Sequence, residues 1–332
     1  MCKHNTQLSD GPVFDKRTKL LISDVDDTLA HTYAPASDTI IRGLNSILQM
    51  GVKLFLVTGQ SIDNIKYRIT DHISPSLRCN ILVGCCSGAE VWGFTPDGSV
   101  KSHPFYSKYE ELLDNSKKSI WRQIVQDIIR LFGFSAINTM PKPQFRAVTN
   151  GDPSIIMLED RQSQITFELV NSTKLTEDQY LAFRERVPDM SASHDLRVSV
   201  VEISNRMLSA SDIPVTARLA GAFAVDFAIL GVTKTTAVHY VLYSELCKEY
   251  WGIDTTEHGF FNRVEIWGDK FSVIDGGTDR HICEALPPSV RTIDFRKEKR
   301  EELPEGYNIL IWNGEQQLSE GTEEYLVKSG LV

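Results

Sequence analysis

The sequence predicts an α/β fold, a Rossmann-like three-layer core with a parallel sheet, carrying an inserted α+β cap domain. Three observations predict it. Short apolar runs that end in polar residues, at 20–23, 52–57 and 81–83, alternate with stretches of helical periodicity, the order that gives parallel strands joined by right-handed crossovers. Near residue 104 the pattern changes to strand-like segments with helices between them, the signature of an antiparallel sheet covered on one face. From residue 222 the apolar-strand style returns. The chain therefore divides into an N-terminal tail, 1–17, a core built from 18–104 and 222–332, and a cap, 105–221.

Each element has its own justification. Leu20-Leu-Ile-Ser23 is an apolar run of the kind that forms a buried strand. Ile40, Ile41, Leu44, Ile47 and Leu48 recur at helical spacing, and Gly51 closes that helix as a C-cap. Val52–Val57 is a second strand, ending in Thr58-Gly59-Gln60-Ser61, and a helix through Ile62–Ile69 leads to the run Ile81-Leu82-Val83. In the cap, residues 119–132 form an amphipathic helix (Ile120, Ile124, Ile128, Leu131). Gln144–Thr149, Ser154–Leu158, Gln164–Val170 and Leu196–Ile203 read as strands, with a helix near 176–186. The returning core offers a strand at Ala224–Leu230, a helix from Thr235 to Glu249 and a strand at Val264–Trp267. A strand at Tyr307–Trp312 and a helix from Gly321 to Lys328 complete it.

Composition narrows the function classes. At 332 residues, 42% hydrophobic and 24% charged, the chain reads as an ordinary two-domain globular protein. A net charge of −9 offers no general basic footprint for nucleic acid. No window approaches the roughly 20 apolar residues of a membrane span. The first seventeen residues have no apolar h-region and read as a loose tail without a signal peptide. Cys2, Cys79, Cys85, Cys86, Cys247 and Cys283 show no CxxC spacing, so reduced thiols and a cytoplasmic location are expected. Neither nucleic acid nor a membrane is expected as a partner, and the chain is expected to be a monomer or homodimer.

Chemistry is concentrated at strand ends. Asp24 and Asp26 follow the first strand, where open α/β sheets place their ligands. Carboxylates crowded there repel unless they share a cation or a proton. Thr58 ends the strand Lys53–Val57. Lys234, in Gly231-Val-Thr-Lys-Thr235, opens a helix. Gly268-Asp269-Lys270 follows another strand, with Asp275-Gly-Gly-Thr-Asp279 after it. Singly, each piece has a plainer reading: Asp24 and Asp26 as turn residues, Thr58-Gly59 as a strand-to-loop turn, Lys234 as a solvated charge, Asp275 and Asp279 as loop residues. Their joint occurrence, each at a strand end or helix start, favours a shared site.

In this order and context the four pieces resemble the haloacid dehalogenase-like (HAD) phosphatase superfamily, over nearly the whole chain after residue 18. Leu158-Glu-Asp-Arg-Gln-Ser-Gln-Ile-Thr-Phe167 and Val225-Asp-Phe-Ala-Ile-Leu-Gly-Val-Thr-Lys234 look like its phosphomannomutase and sucrose-phosphatase-related branch, with the large cap between the second and third motifs. The resemblance implies a Mg²⁺-dependent phosphatase acting on a small phosphorylated metabolite, in first place a sugar phosphate, through an aspartyl-phosphate. Asp24 would be the nucleophile and Asp26 the general acid/base, with Thr58, Gly59 and Lys234 holding the phosphoryl group. It implies metal ligation by Asp24, the Asp26 carbonyl and Asp269, supported by Asp279 in preference to Asp275. Asp27 stands where many relatives carry glycine, and the loop after Asp269 is two residues longer than in the mutase-like branch. Arg146, Arg161, Asn171, Arg197 and Arg206 are cap residues available for polar contact. A phosphomutase using a bisphosphate activator is the alternative, weakened because Phe167-Glu-Leu-Val-Asn-Ser172 has no base to grip a second phosphate. A non-catalytic regulator on the same fold is the alternative of another class, and dehalogenase chemistry is a minor one.

Overall fold

In the computed structural model, residues 11–274 and 276–332 are described. The core strands come first: Leu20–Ser23 (β1), Lys53–Val57 (β2), Ile81–Cys85 (β3), Glu90–Gly93 (β4) and Tyr106–Ser107 (β5). The cap follows with Ser135–Ile137 (β6), Ile155–Asp160 (β7), Gln164–Glu168 (β8), Val215–Ala220 (β9) and Ala224–Ile229 (β10). Val264–Gly268 (β11), Arg291–Asp294 (β12) and Ile309–Ile311 (β13) return to the core. Among the described residues the main sheet has eight strands in the order β13-β12-β11-β1-β2-β3-β4-β5, parallel except at β4 and β5. The second sheet has five, in the order β6-β7-β8-β10-β9, antiparallel except for β6 with β7.

β1 lies at the centre, with Ser23 level with Trp267 of β11 on one side and with Leu56 of β2 on the other. That register brings Asp24, Thr58 and Asp269 out at one edge of the sheet, at the carboxyl ends of neighbouring strands. The strands feeding the edge are buried on both faces and carry almost continuous apolar sequence, as parallel strands between helical layers must. Helix Asp38–Gln49 buries Ile40, Leu44, Ile47 and Leu48 on one side, is capped by the Ser37 hydroxyl, and ends before Gly51 in a left-handed conformation (φ 85°). On the other side, helix Lys234–Tyr243 buries Ala237, Val238, Val241 and Leu242. Its approach depends on Gly88, whose φ of 98° already favours glycine and whose added Cβ would lie 2.2 Å from the Thr233 carbonyl.

The cap sheet is two-faced. In β8, Ile165 and Phe167 join the hydrophobic cluster under the cap helices, as do Val225, Phe227 and Ile229 of β10. The alternate residues Gln164, Thr166 and Glu168, with Asp226, face a cavity over the main sheet's edge. Four expectations are corrected here. Gln144–Thr149 belongs to a helix, Lys142–Thr149, because its buried residues, Phe145 and Thr149, do not alternate along a strand but stand one helical turn apart after Pro143. Leu196–Ile203 is likewise the start of helix Leu196–Ala210. The β-branched run Val198–Val201 suggests a strand, yet Leu196, Val200, Ile203 and Leu208 share one buried stripe and the Asp195 side chain caps the start. β10 belongs to the cap sheet, not the main one, and Tyr106–Ser107 extends the main sheet past residue 104. Within the tail, Phe14 is buried edge-on against Trp267 and its N–H donates to Ser329 Oγ at 2.8 Å.

No helix among the described residues is long and apolar enough to cross a membrane. Cys79, Cys85, Cys86, Cys247 and Cys283 are free thiols; Cys2 lies outside the described residues.

Candidate active site

Asp24, Asp26, Gly59, Lys234, Asp269 and Asp279 line one cavity of about 260 Å³ between the edge of the main sheet and the polar face of the cap sheet. Asp24, Asp269 and Asp279 offer carboxylate oxygens within 4.8 Å of one another. Lys234 Nζ, buried at the head of its helix, donates to Asp24 Oδ1 at 2.5 Å and to Asp279 Oδ1 at 2.7 Å. Thr28 Oγ1 donates to Asp24 Oδ2 at 3.2 Å. The second Asp279 oxygen accepts the Asp269 and Lys270 N–H groups at 2.9 and 3.0 Å, so Asp279 braces the loop that presents Asp269. Asp269 is also bound by the guanidinium of Arg296.

The charges explain how these groups titrate. Burial, reinforced by the negative charge of Asp279, pushes Asp24 up to about 7 against the pull of Lys234. Burial likewise drives Asp269 well above the carboxylate range. For Asp279 burial pulls upward too, but Lys234 outweighs it and holds the carboxyl low. Two of the three acids thus resist ionising, chiefly because burial strips them of water, although Lys234, Lys270 and Arg296 stand beside the cluster. Three buried carboxylates converging within 4.8 Å offer the hard oxygen donors that suit a dication such as Mg²⁺.

Asp26 is treated differently. Arg68 Nη1 donates to its Oδ1 at 2.7 Å and Gln60 Nε2 to its Oδ2 at 3.1 Å. Burial opposes ionisation, yet the Arg68 guanidinium holds Asp26 below the usual carboxylate range. Asp27 adopts φ 65°, a left-handed position that glycine fills at no cost and aspartate tolerates better than most residues. Its carboxylate faces Lys270 at 4.0 Å and Arg296 at 3.9 Å.

Thr58 is fully buried beside the cavity without lining it. Its N–H donates to the Gly84 carbonyl at 2.8 Å and its hydroxyl accepts the Gln60 N–H at 3.1 Å, while Gly59 forms the wall. Asp275 lies outside the described residues. Of the five cap candidates, only Arg161 lines the cavity. It donates to the Gly59 carbonyl at 2.7 Å and to Glu159 at 2.6 Å, pinning cap to core. Arg146 stands over the Phe223 ring at 5.8 Å, Asn171 donates to Thr149, Arg197 pairs with Asp195, and Arg206 is exposed on its helix. Arg68, Gln60 and Arg296 escape a reading of the sequence. Arg68 looks like an ordinary basic residue in a helix's last turn, and Arg296 follows a strand, β12, too short to register.

Asp294, fully buried at the end of β12, accepts the Arg296 and Glu298 N–H groups at 2.9 and 2.7 Å and so sets the turn that delivers Arg296. Burial pushes its carboxyl up to about 7. The folded chain therefore keeps a proton there that the unfolded chain, with its ordinary value of 3.8, gives up. That contribution is complete below pH 3.8 and is lost as pH rises through about 7, so unfolding free energy falls across this window. Asp294→Asn is expected to flatten that decline in urea denaturation midpoints; an unchanged slope would refute the assignment.

No family model matches the sequence, and no curated protein does. Among solved structures, the chain is similar to a phosphatase of the HAD enzyme superfamily from Bacteroides thetaiotaomicron, at 15% identity and TM-score 0.48, over 98% of this chain and 100% of that one. It is similar to a trehalose-6-phosphate phosphatase from Aspergillus fumigatus, at 14% identity and TM-score 0.45, over 97% and 100% of the two chains. An IMP-bound IMP-nucleotidase from Plasmodium falciparum shares 12% identity at TM-score 0.48, over 95% of this chain and 68% of that one. Likenesses of this size leave the chemistry to be argued from the geometry of the site.

Proposed function

We propose that the protein is a Mg²⁺-dependent phosphatase of the HAD type, hydrolysing a small phosphorylated metabolite, in first place a sugar phosphate. The observation that carries this reading is the pairing of Asp24 with Lys234 at 2.5 Å inside a cavity that also gathers Asp26, Asp269 and Asp279. A solvated or merely structural acid has no use for a buried lysine, two further carboxylates and an enclosed cavity.

The residues divide the work. Asp24 forms an oxygen–phosphorus bond as the bond to the leaving oxygen breaks, and Asp26 gives its proton to that oxygen, releasing the alcohol. The dianionic phosphoryl group opposes Arg68 and favours the protonated Asp26 this step needs. Asp26, now ionised, then takes a proton from water as the water oxygen bonds to phosphorus and the Asp24–phosphorus bond breaks. Inorganic phosphate leaves and both acids return to their starting forms. Lys234 neutralises Asp24 and the charge on the transferring group. Asp24 and Asp269, with Asp279 behind them, would hold Mg²⁺, which when bound neutralises the phosphoryl oxygens and orients the group for in-line attack.

The cap supports a substrate with one phosphate. Its cavity face presents Gln164, Thr166, Glu168 and Asp226, hydrogen-bonding groups suited to hydroxyls. Its lining arginine, Arg161, is committed to Glu159 and Gly59, and its lining lysine, Lys142, lies over the Phe223 ring at 4.5 Å with the Glu168 carboxylate nearby. This favours hydrolysis over a bisphosphate-activated mutase. The test is release of phosphate from p-nitrophenyl phosphate and from a panel of sugar monophosphates, with Mg²⁺ and with EDTA. Metal-dependent release is expected. A chain inert towards all of them would sink the reading, and conversion of a hexose 1-phosphate to the 6-phosphate would replace it with the mutase.

A further inference from the structure

The Asp26 carboxylate is gripped from behind, one oxygen by Arg68 and the other by Gln60. Arg68 ends helix Ile62–Arg68, and its side chain is wholly buried, whereas that of Asp26 keeps 19% of its surface open to the cavity. The cation is hidden and the anion is presented. The other nitrogens of Arg68 are fixed as well: Nε donates to the Ala34 carbonyl at 2.9 Å, and Nη2 to the His31 and Ala30 carbonyls at 2.8 and 3.3 Å. A planar guanidinium with its fork occupied this way has little freedom to swing. The carbonyls it binds belong to the segment just after the Asp24–Leu29 turn. Tyr33 of that segment reaches the cap, donating to Glu168 at 3.1 Å.

Stability alone explains the pair poorly, because a buried ion pair often contributes little against an apolar replacement. We infer that Arg68, assisted by Gln60, is a positioning residue for Asp26. It holds the carboxyl at the cavity wall, in the place from which the proton reaches the leaving oxygen. The inference rests on the phosphatase reading above.

Leaving groups provide the test. A p-nitrophenolate departs with little help, while phenolates of rising basicity depend increasingly on proton donation, a contribution typically worth about 10²–10⁴-fold. Substituted phenyl phosphates from p-nitro to p-methoxy hold shape nearly constant, and kcat/KM reports the step that expels the phenolate. In Arg68→Lys, kcat/KM for the p-methoxy ester is expected to fall at least about fivefold further than for the p-nitro ester, steepening the dependence on leaving-group basicity. Gln60→Met leaves every backbone contact of Arg68 in place. It is expected to show the same steepening at smaller size, and it carries the test if Arg68→Lys does not fold. Parallel losses across the series, or no loss, in a folded variant would overturn the inference. A wild-type chain inert towards the whole series would instead overturn the phosphatase reading, and the inference with it.

Discussion

Asp24→Asn is expected to release no measurable phosphate from any ester the wild type hydrolyses, a fall of at least about 10⁴-fold, equivalent to roughly 5.5 kcal/mol of transition-state stabilisation. The expectation follows from what the substitution spares. An asparagine Oδ1 can still accept from Lys234, and its Nδ2 can donate to the Thr28 hydroxyl, whose own proton can turn to Asp269 Oδ1, so the cavity keeps its shape. The amide has no carboxylate to attack phosphorus, and no other described acid stands in its place. Asp269 is tied to Arg296 and Asp279 to Lys234 and two backbone N–H groups. The same change replaces a carboxyl that burial disfavours in its charged form by a neutral amide, so without metal the variant should unfold at the wild-type urea midpoint or above it. Phosphate release assays and urea denaturation together decide the matter. A folded Asn variant that keeps more than about a thousandth of wild-type turnover would rule Asp24 out as the nucleophile.

What the sequence discloses and what it hides have physical causes. Asp24, Asp269 and Lys234 are legible because each follows or opens an element whose apolar pattern is strong, and parallel strands beside one another deliver their carboxyl ends to the same edge. The core strands β1, β2, β3 and β11 are legible for the same reason: buried on both faces, they have no polar alternation to confuse. The cap is harder. Leu196–Ala210 carries a β-branched stretch whose local preference points to a strand, and only packing of its stripe against the cap sheet decides for the helix. β10 has the apolar density of a core strand because it is an interior strand of its own sheet, paired on both sides. Its single charged residue, Asp226, is the one pointing into the cavity. Arg68 is hidden altogether: its role depends on carbonyls at 30, 31 and 34 and a carboxylate at 26, and no spacing rule links these to a helix end at residue 68.

Lys234→Met carries the second large expectation, because this side chain is both a structural and a chemical counter-charge. Nζ lies between Asp24 and Asp279, with Asp269 beyond, all four groups buried. Removing one partner of a buried ion pair typically costs about 3–5 kcal/mol, since the other charge stays uncompensated. A loss of that size is expected in EDTA above neutral pH. Its pH dependence has a definite sign. Asp24 is already raised to about 7 with the lysine present, so the folded chain holds a proton that the unfolded chain, at 3.8, has released. Without the lysine the folded value climbs further. The unfolded state then binds fewer protons across a wider window, and the deficit grows as pH rises and shrinks towards pH 4. Mg²⁺ should restore more stability to Lys234→Met than to the wild type, since a dication replaces the missing charge. Catalysis should not recover with it: losing a donor to the developing phosphoryl charge is worth about 10²–10³-fold in kcat. Urea midpoints with and without Mg²⁺ across this pH range test the electrostatic argument, and turnover in saturating Mg²⁺ tests the chemical one. A variant as stable as the wild type in EDTA above neutral pH would mean that the acids of this cavity do not need Lys234. A variant with full turnover would mean that the phosphoryl group does not either.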